Sequence, residues 1–241
     1  MNRRTFLKSI PTLAVLANTT SGFSQETSDS TPETSDPTGN LQPIILLKPE
    51  IDGGMSVMEA LQMRKTTRNI SPKELPLQTL SGLLWAAFGV NRKEAAFDKP
   101  GRTAPSASNS QEIGLYVALP EGVYIYDAVP HRLTPVVAGD YRYRAGRRGA
   151  ENAPVNIFYV VDRRKYDLGP AQPDRSIGDP EVQKSYYYTD TGFIAQNVYL
   201  FAASHGLATW FHNCDKQNTV KEFKLRLEQS VLFAQSVGYP G

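Results

Sequence analysis

Residues Arg64-Lys65-Thr66-Thr67-Arg68 place three cations and two hydroxyl groups on one short stretch of the chain. Arginine forks bind a phosphate through paired hydrogen bonds, and lysine and threonine add charge and donors. The pattern therefore indicates a phosphate-binding segment. A basic run at the end of a helix is also typical of a solvated surface, because the helix dipole favours cations there. Taken alone, the cluster leaves both interpretations open.

A second polar cluster, Gly101-Arg102-Thr103-Ala104-Pro105-Ser106-Ala107-Ser108-Asn109, leads directly into an apolar stretch. Hydroxyl and amide groups at this density suit a ligand that carries several hydroxyls. An ordinary surface loop has a similar composition, so this cluster alone is also ambiguous.

The remaining reactive side chains are few. His131, His205 and His212 are too far apart in sequence to predict a metal site, and none is expected. His205 precedes Gly206 and is typical of a helix end, whereas His212 is a candidate for substrate contact. Cys214 is the only cysteine and is either a redox thiol or an inert packed residue.

Hydrophobic periodicity predicts the elements that must position these clusters. Helices and hairpin strands occur without regular strand–helix alternation, which favours an α+β fold. The tyrosines at 186–188 are expected just before the last helix, where they would line a pocket or pack in the core or at an interface. The predicted helices are 55–63, 77–90 and 191–204, and the predicted strands are 113–119, 123–126, 133–137 (an edge), 155–161 (buried and central) and 230–239.

Charge and hydropathy exclude two classes of function. Residues 41–241 carry 23 bases and 20 acids, too small an excess for the dense basic surface that nucleic-acid binding needs. No apolar run approaches the roughly 18 residues of a membrane span. The balance leaves cations for a small anionic ligand.

The first residues read as an export signal. Arg3-Arg4 followed by Thr5-Phe6-Leu7-Lys8 is typical of a twin-arginine signal peptide, and a short, mild apolar stretch follows it. We assign residues 1–24 to this signal, which implies a twin-arginine translocase as partner during export and a periplasmic location. Residues 25–43, rich in Ser, Thr, Asp, Glu and Pro, are predicted to form a disordered linker. The folded domain is then 44–241.

The order of the motifs resembles that of the nitroreductase family from about Ile44 to Pro240. An Arg-x-Thr-x-Arg segment is followed by Pro-Ser-x-x-Asn before a strand. A helix with the sequence Asp-Thr-Gly-Phe-Ile-Ala-Gln-Asn-Val-Tyr-Leu then comes before Gly-Leu-Ala, and Gln-Ser-Val-Gly-Tyr-Pro closes the chain. The stretches 84–89 and 102–107 are most similar to the branch that contains the azoline-oxidising dehydrogenases of peptide maturation.

The resemblance implies a homodimer with a mostly antiparallel sheet flanked by helices, and flavin mononucleotide (FMN) as cofactor. Arg64, Thr66 and Arg68, with Lys65 among them, match the residues that hold the FMN phosphate. The match at 105–109 implies contacts with the ribityl chain and the flavin edge across the dimer interface, from Pro105, Ser106, Ala107 and Asn109. The match at 208–213 places backbone beside the reactive flavin nitrogen and includes Thr209, Trp210 and Phe211.

The function implied is that of an FMN-dependent oxidoreductase, since the flavin supplies the hydride chemistry and the protein orients it. Hydride would pass from a donor to a small nitro, quinone or azoline acceptor in ping-pong turns. A rival enzyme would oxidise small molecules or peptides and pass electrons to an acceptor in the cell envelope. A rival from another class is a flavin-binding or sensor protein without turnover.

Overall fold

The computed structural model describes residues 36–167 and 175–241, and a seven-stranded sheet organises them. Along this sheet the strand order is β1-β6-β5-β4-β7-β9-β8, and every neighbouring pair is antiparallel. A separate two-stranded ribbon is formed by β2 and β3. The strands are β1 Ile44–Ile45, β2 Val90–Arg92, β3 Gly101–Arg102, β4 Ile113–Leu119, β5 Gly122–Asp127, β6 Arg132–Ala138, β7 Val155–Asp162, β8 Ala208–His212 and β9 Gln229–Gly238.

The central strands are apolar on both faces because both faces are covered. In β4, Leu115 and Val117 belong to the core cluster under helices α2 (Leu77–Phe88) and α3 (Pro180–Ser204). The alternate residues Tyr116 and Ala118 belong to a second cluster, with Phe223 at the end of helix α4 (Lys216–Glu222). Alternation of side chains along a strand explains this division. Strand β7 is buried throughout and lies between β4 and β9, which confirms the predicted central strand.

The fold is the predicted α+β arrangement, but some bounds differ. The strand predicted at 133–137 as an edge has β1 on its outer side. Helix α3 begins at Pro180, eleven residues before the predicted start, so the tyrosines at 186–188 lie within it rather than before it. Asp179 caps the helix by accepting a hydrogen bond from the Glu181 amide, and proline suits the first helical turn.

The end of the predicted linker packs against the domain. The Ala138 amide donates to the Pro37 carbonyl over 2.9 Å, and Leu41 packs against the core. The prediction of disorder for 36–43 is therefore corrected, because this part of the linker contributes apolar contact. The predicted signal, and the linker up to residue 35, lie outside the described residues.

Helix α1 (Val57–Met63) begins with a capping box between Ser56 and Glu59 and ends at Arg64, where the cationic cluster starts. Within the described ranges, no helix has both the length and the apolar character needed to cross a membrane.

Candidate functional site

The cationic segment, residues 64–68, runs beside the free edge of β8. The Thr67 amide donates to the Thr209 carbonyl over 3.0 Å. Just beyond the segment, Ile70 forms an antiparallel bridge with Pro240, next to the end of β9. Backbone hydrogen bonds thus fix the cations at the corner where β8 and β9 meet, so the structure joins two of the three predicted site regions.

Tyr199 of α3 is the side chain that links these two regions. Its hydroxyl accepts a hydrogen bond from the Phe211 amide over 3.0 Å. The same oxygen lies 3.0 Å from Thr66 Oγ1. The Arg64 guanidinium lies over the Tyr199 ring, 5.5 Å from its centroid. One phenol therefore connects the cationic segment to the backbone of β8, a role that the sequence analysis missed.

The charge of the cationic segment is not neutralised by nearby acids. Arg68 lies over the Trp210 ring at 5.3 Å, a cation–π contact like that of Arg64. No carboxylate from 36–167 or 175–241 lies within 4.0 Å of the charged groups of Arg64, Lys65 or Arg68. Three cations without acidic partners fit an anionic group such as a phosphate.

Lys65 lies beside the same tyrosine as the other predicted phosphate ligands. Arg64 and Thr66 contact Tyr199, and Lys65 and Thr67 line a cavity of about 180 Å³ that Tyr199 and Pro240 also line. Lys65 is exposed there, and its charge adds to the local positive potential.

The three predicted β8 residues differ in what they can offer. Thr209 is buried, and its hydroxyl donates to the Ser236 carbonyl over 3.0 Å, so only its backbone is directed to the site. Trp210 and Phe211 are half-buried. Trp210 receives Arg68, and the Phe211 amide is the group that Tyr199 engages.

The third predicted region is the Ser-Asn loop, residues 105–111. Its Ala107 amide donates to Asp190 Oδ2 over 2.9 Å, and its Ser106 hydroxyl accepts from the Gln111 amide over 3.0 Å. The Asn109 side chain donates to the Ala96 carbonyl over 2.8 Å. Pro105 is exposed at the start of the loop. The loop is therefore held by its own polar groups and by α3.

Within the chain, α3 lies between the Ser-Asn loop and the cationic segment. The loop is anchored at Asp190 and the segment at Tyr199, nine positions apart on the same helix. Nine residues rise about 13.5 Å and make two and a half turns, so the two anchors lie on opposite sides of the helix. The predicted clusters therefore do not meet within a single chain through this helix.

The histidines and the cysteine do not form a reactive centre. His212 is buried, and its two ring nitrogens lie 3.0 Å from the Asn213 carbonyl and the Ser236 hydroxyl, so it is committed to internal hydrogen bonds. Burial raises the pKa of the Cys214 thiol to about 12, which keeps it protonated and unreactive. His131 bonds to Tyr126 and His205 stacks on Phe201. Within the described ranges, no three His, Cys, Asp or Glu side chains are grouped to hold a metal.

Two of the three tyrosines at 186–188, Tyr187 and Tyr188, pack against aromatic rings. Tyr188 lies 5.9 Å from the ring of Phe233 and 4.8 Å from that of Tyr187, which packs against the core under α3.

Comparison with known proteins identifies the family. The model of the nitroreductase family matches residues 61–239, which include the cationic segment, the Ser-Asn loop and β8. The chain belongs to the nitroreductase family. A protein of Methanocaldococcus jannaschii that carries the name nitroreductase is 27% identical over 188 residues, 75% of this chain and 89% of that protein.

Solved structures share the family fold. A protein from Ralstonia eutropha JMP134, also named as a nitroreductase, has a TM-score of 0.72 and 32% identity, covering 83% of this chain and 90% of the other. The microcin synthetase complex of Escherichia coli contains a chain with a TM-score of 0.58 and 16% identity, covering 84% and 79%. The similarity to the microcin synthetase chain is a similarity of fold alone. This nitroreductase-family chain is accordingly an oxidoreductase.

The Tyr199 link can be tested by Tyr199→Phe. Removing the hydroxyl leaves the Phe211 amide and Thr66 without their shared partner, so we expect a loss of about 1 kcal/mol in the free energy of unfolding. Urea unfolding of the variant and of Tyr188→Phe, a control at an exposed tyrosine, measures the difference. Equal stabilities for the two variants would show that the link contributes nothing.

Proposed function

We propose that the protein is an FMN-dependent oxidoreductase that takes a hydride from a donor and passes it to a small nitro, quinone or azoline acceptor in ping-pong turns. The observation that carries the proposal is the junction between the cationic segment and β8 in a nitroreductase-family chain. At this junction, cations without acidic partners lie next to the backbone of the edge strand β8. Tyr199 links the two, because it contacts both Thr66 and the Phe211 amide.

The residues at this junction fit FMN. Arg64, Thr66 and Arg68 would hold the phosphate, with Lys65 adding charge, and the backbone of 209–211 would lie beside the ring system. When bound, the flavin supplies hydride transfer, so the protein needs no acid–base pair of its own at the reacting atoms. The chain's part is to bind the phosphate, to orient the ring and to exclude water.

A homodimer would complete the site. Four of the seven side chains of α1 are apolar and exposed: Val57, Met58, Leu61 and Met63. An apolar face of this kind marks an interaction surface. Because α3 separates the Ser-Asn loop from the cationic segment, a symmetric partner would bring its own Pro105, Ser106, Ala107 and Asn109 to the first protomer's Arg64 and Arg68.

We further propose that the protein acts in the periplasm after twin-arginine export. A cofactor made in the cytoplasm and held between subunits must be loaded before export, which favours a route for folded cargo. A related proposal is the rival dehydrogenase, which would pass electrons from a small molecule or peptide to an acceptor in the envelope.

The absorption spectrum of the purified protein tests the proposal. We expect a flavin band that bleaches with a low-potential chemical donor and recovers on adding a nitro, quinone or azoline acceptor. A yellow protein that no acceptor reoxidises would instead favour the non-catalytic flavin-binding or sensor function. A colourless protein that does not take up added FMN would contradict both.

We predict that NADH and NADPH reduce this flavin slowly, relative to a low-potential chemical donor. A periplasmic enzyme has no ready nicotinamide supply, so a nicotinamide site would not be maintained there. Anaerobic stopped-flow bleaching with each donor at equal concentration measures the rates. Reduction by either nicotinamide at a rate on the order of tens per second, an ordinary turnover rate, would overturn the prediction.

A further inference from the structure

Two buried carboxyl groups, Glu112 and Asp190, lie beneath the Ser-Asn loop. Glu112 has no exposed surface and Asp190 only 3%. One oxygen of Glu112 accepts a hydrogen bond from the Ser110 hydroxyl over 2.6 Å. The other, Oε1, is buried and has no donor within hydrogen-bonding geometry among the described residues. A buried carboxylate oxygen without a hydrogen-bond donor destabilises the folded state, and a proton at this oxygen would remove that destabilisation.

Asp190 is the neighbour that can provide this proton. Burial, reinforced by the charge of Glu112, raises the pKa of Asp190 to about 7. Two carboxyl groups in one site cannot both ionise without strong repulsion, and sharing a single proton satisfies both. The carboxyl pair also contacts the loop directly, because Asp190 Oδ2 accepts a hydrogen bond from the Ala107 amide.

Two ammonium groups and one phenol lie close to Glu112. Lys99 donates to the Ser110 carbonyl over 3.3 Å and Lys165 to the Gln111 carbonyl over 2.8 Å, and the charge of Glu112 partly offsets the lowering of both lysine pKa values by burial. The Tyr166 hydroxyl donates to the Gln183 carbonyl over 3.3 Å, and burial together with both carboxyls raises its pKa, so it remains protonated. Arg102 donates to the Gln111 side chain over 2.7 Å, and Tyr187 lies near Tyr166.

The Ser-Asn loop needs an anchor of this kind. Ser108, Asn109 and Gln111 have φ values of 50°, 50° and 54°, in the left-handed region that side chains other than glycine rarely adopt. Such a backbone persists only where surrounding contacts determine it. The carboxyl pair supplies two of those contacts, at Ala107 and Ser110.

We propose that Glu112 and Asp190 share one proton in mildly acidic solution, and that this pair is the positioning element that fixes the Ser-Asn loop in the conformation the site requires. The loop's place in that site rests on the proposed function, whereas the shared proton does not. Neither carboxyl contacts the reacting atoms in this scheme; they act through Ala107 and Ser110.

The sign of the pH dependence follows from linkage. Because the folded pKa of Asp190 lies above its ordinary value, the folded loop holds the proton more tightly than an opened one. Its stabilisation is complete below the ordinary pKa of 3.8 and is lost as the pH rises through about 7. Well above pH 7 both states have lost the proton, and no further change is expected.

Hydrogen exchange at the Ala107 amide measures this directly in the purified protein with whatever flavin it carries. After correction for the intrinsic rate, we expect protection to fall by up to about tenfold per pH unit from pH 5 to 7 and then to level off. Asp190→Asn should remove this slope while keeping an acceptor for Ala107. Glu94→Gln, a carboxyl-to-amide change at an exposed position, should keep it. A pH-independent protection in the parent, or an unchanged slope in Asp190→Asn, overturns the proposal.

Infrared spectroscopy gives a second measurement, which can be made on the parent protein even if a variant does not fold. At pH 6 the parent and Glu94→Gln should show the carbonyl band of a protonated carboxyl, and Asp190→Asn should lack it. A parent without this band refutes the shared proton. Flavin content, measured separately, distinguishes the two proposals. A colourless protein whose Ala107 protection shows the expected pH dependence would contradict the proposed function but support the shared proton.

Discussion

Changing both Arg64 and Arg68 to Ala is expected to give a protein that loses its flavin on dialysis. Each guanidinium would contribute a charge-assisted hydrogen bond to the phosphate, worth about 1.5–3 kcal/mol. The pair would then be worth about 3–6 kcal/mol, or roughly a hundredfold to ten-thousandfold in FMN affinity. Arg64→Ala alone should lose about half of this free energy. Flavin absorbance after dialysis, followed by titration with FMN, gives the affinities.

A stability measurement provides an independent check. FMN that binds only the folded state raises stability by about 2.7 kcal/mol when its concentration is a hundred times the dissociation constant. Added FMN should therefore raise the melting temperature of the parent and not that of the double variant. The matched control is Arg147→Ala with Arg148→Ala, an exposed arginine pair that does not belong to the cationic segment. A double variant at Arg64 and Arg68 that stays yellow would place the phosphate elsewhere.

The sequence indicated the cationic segment because its chemistry is local: three cations and two hydroxyls within five residues need no fold to be recognised. Tyr199 could not be found in this way. Its hydroxyl acts on Thr66 from 133 positions away, and only the packing of α3 brings the two together. The same holds for Asp190 and Ala107, 83 positions apart. Tyr199 and Asp190 both lie in α3, whose sequence carries part of the family resemblance. That resemblance is the only signal in the sequence that points to them.

The fold was predictable where apolar residues recur with a fixed period. Strands β4, β7 and β9 were recognised from continuous or alternating apolar runs, since both faces of the sheet are covered. The first turns of α3 were missed because 180–190 is polar and largely exposed, which leaves no apolar stripe. Strands as short as β3, with two residues, show no period at all.

Replacing Arg3 and Arg4 by Lys is expected to abolish export and to leave the protein in the cytoplasm with residues 1–24 attached. The substitution keeps both positive charges, so a signal that needed only a basic start would still function. Twin-arginine recognition depends on the guanidinium groups themselves, and lysine lacks their planar fork. Cell fractionation, with the length of the chain in each fraction, measures the effect in a host that has this translocase.

The chain contains its own control for this test. Arg147-Arg148 is a second adjacent arginine pair, exposed in the folded domain, and its change to Lys-Lys should leave export unaltered. Periplasmic protein from the Arg3 and Arg4 variant at the parent's level would contradict the proposed route, whatever its flavin content. If the route is correct, the retained variant should still be yellow, because FMN is made and bound in the cytoplasm before export. Flavin loading without export would therefore separate the signal's role from that of the cationic segment, whose loss is expected to remove the colour.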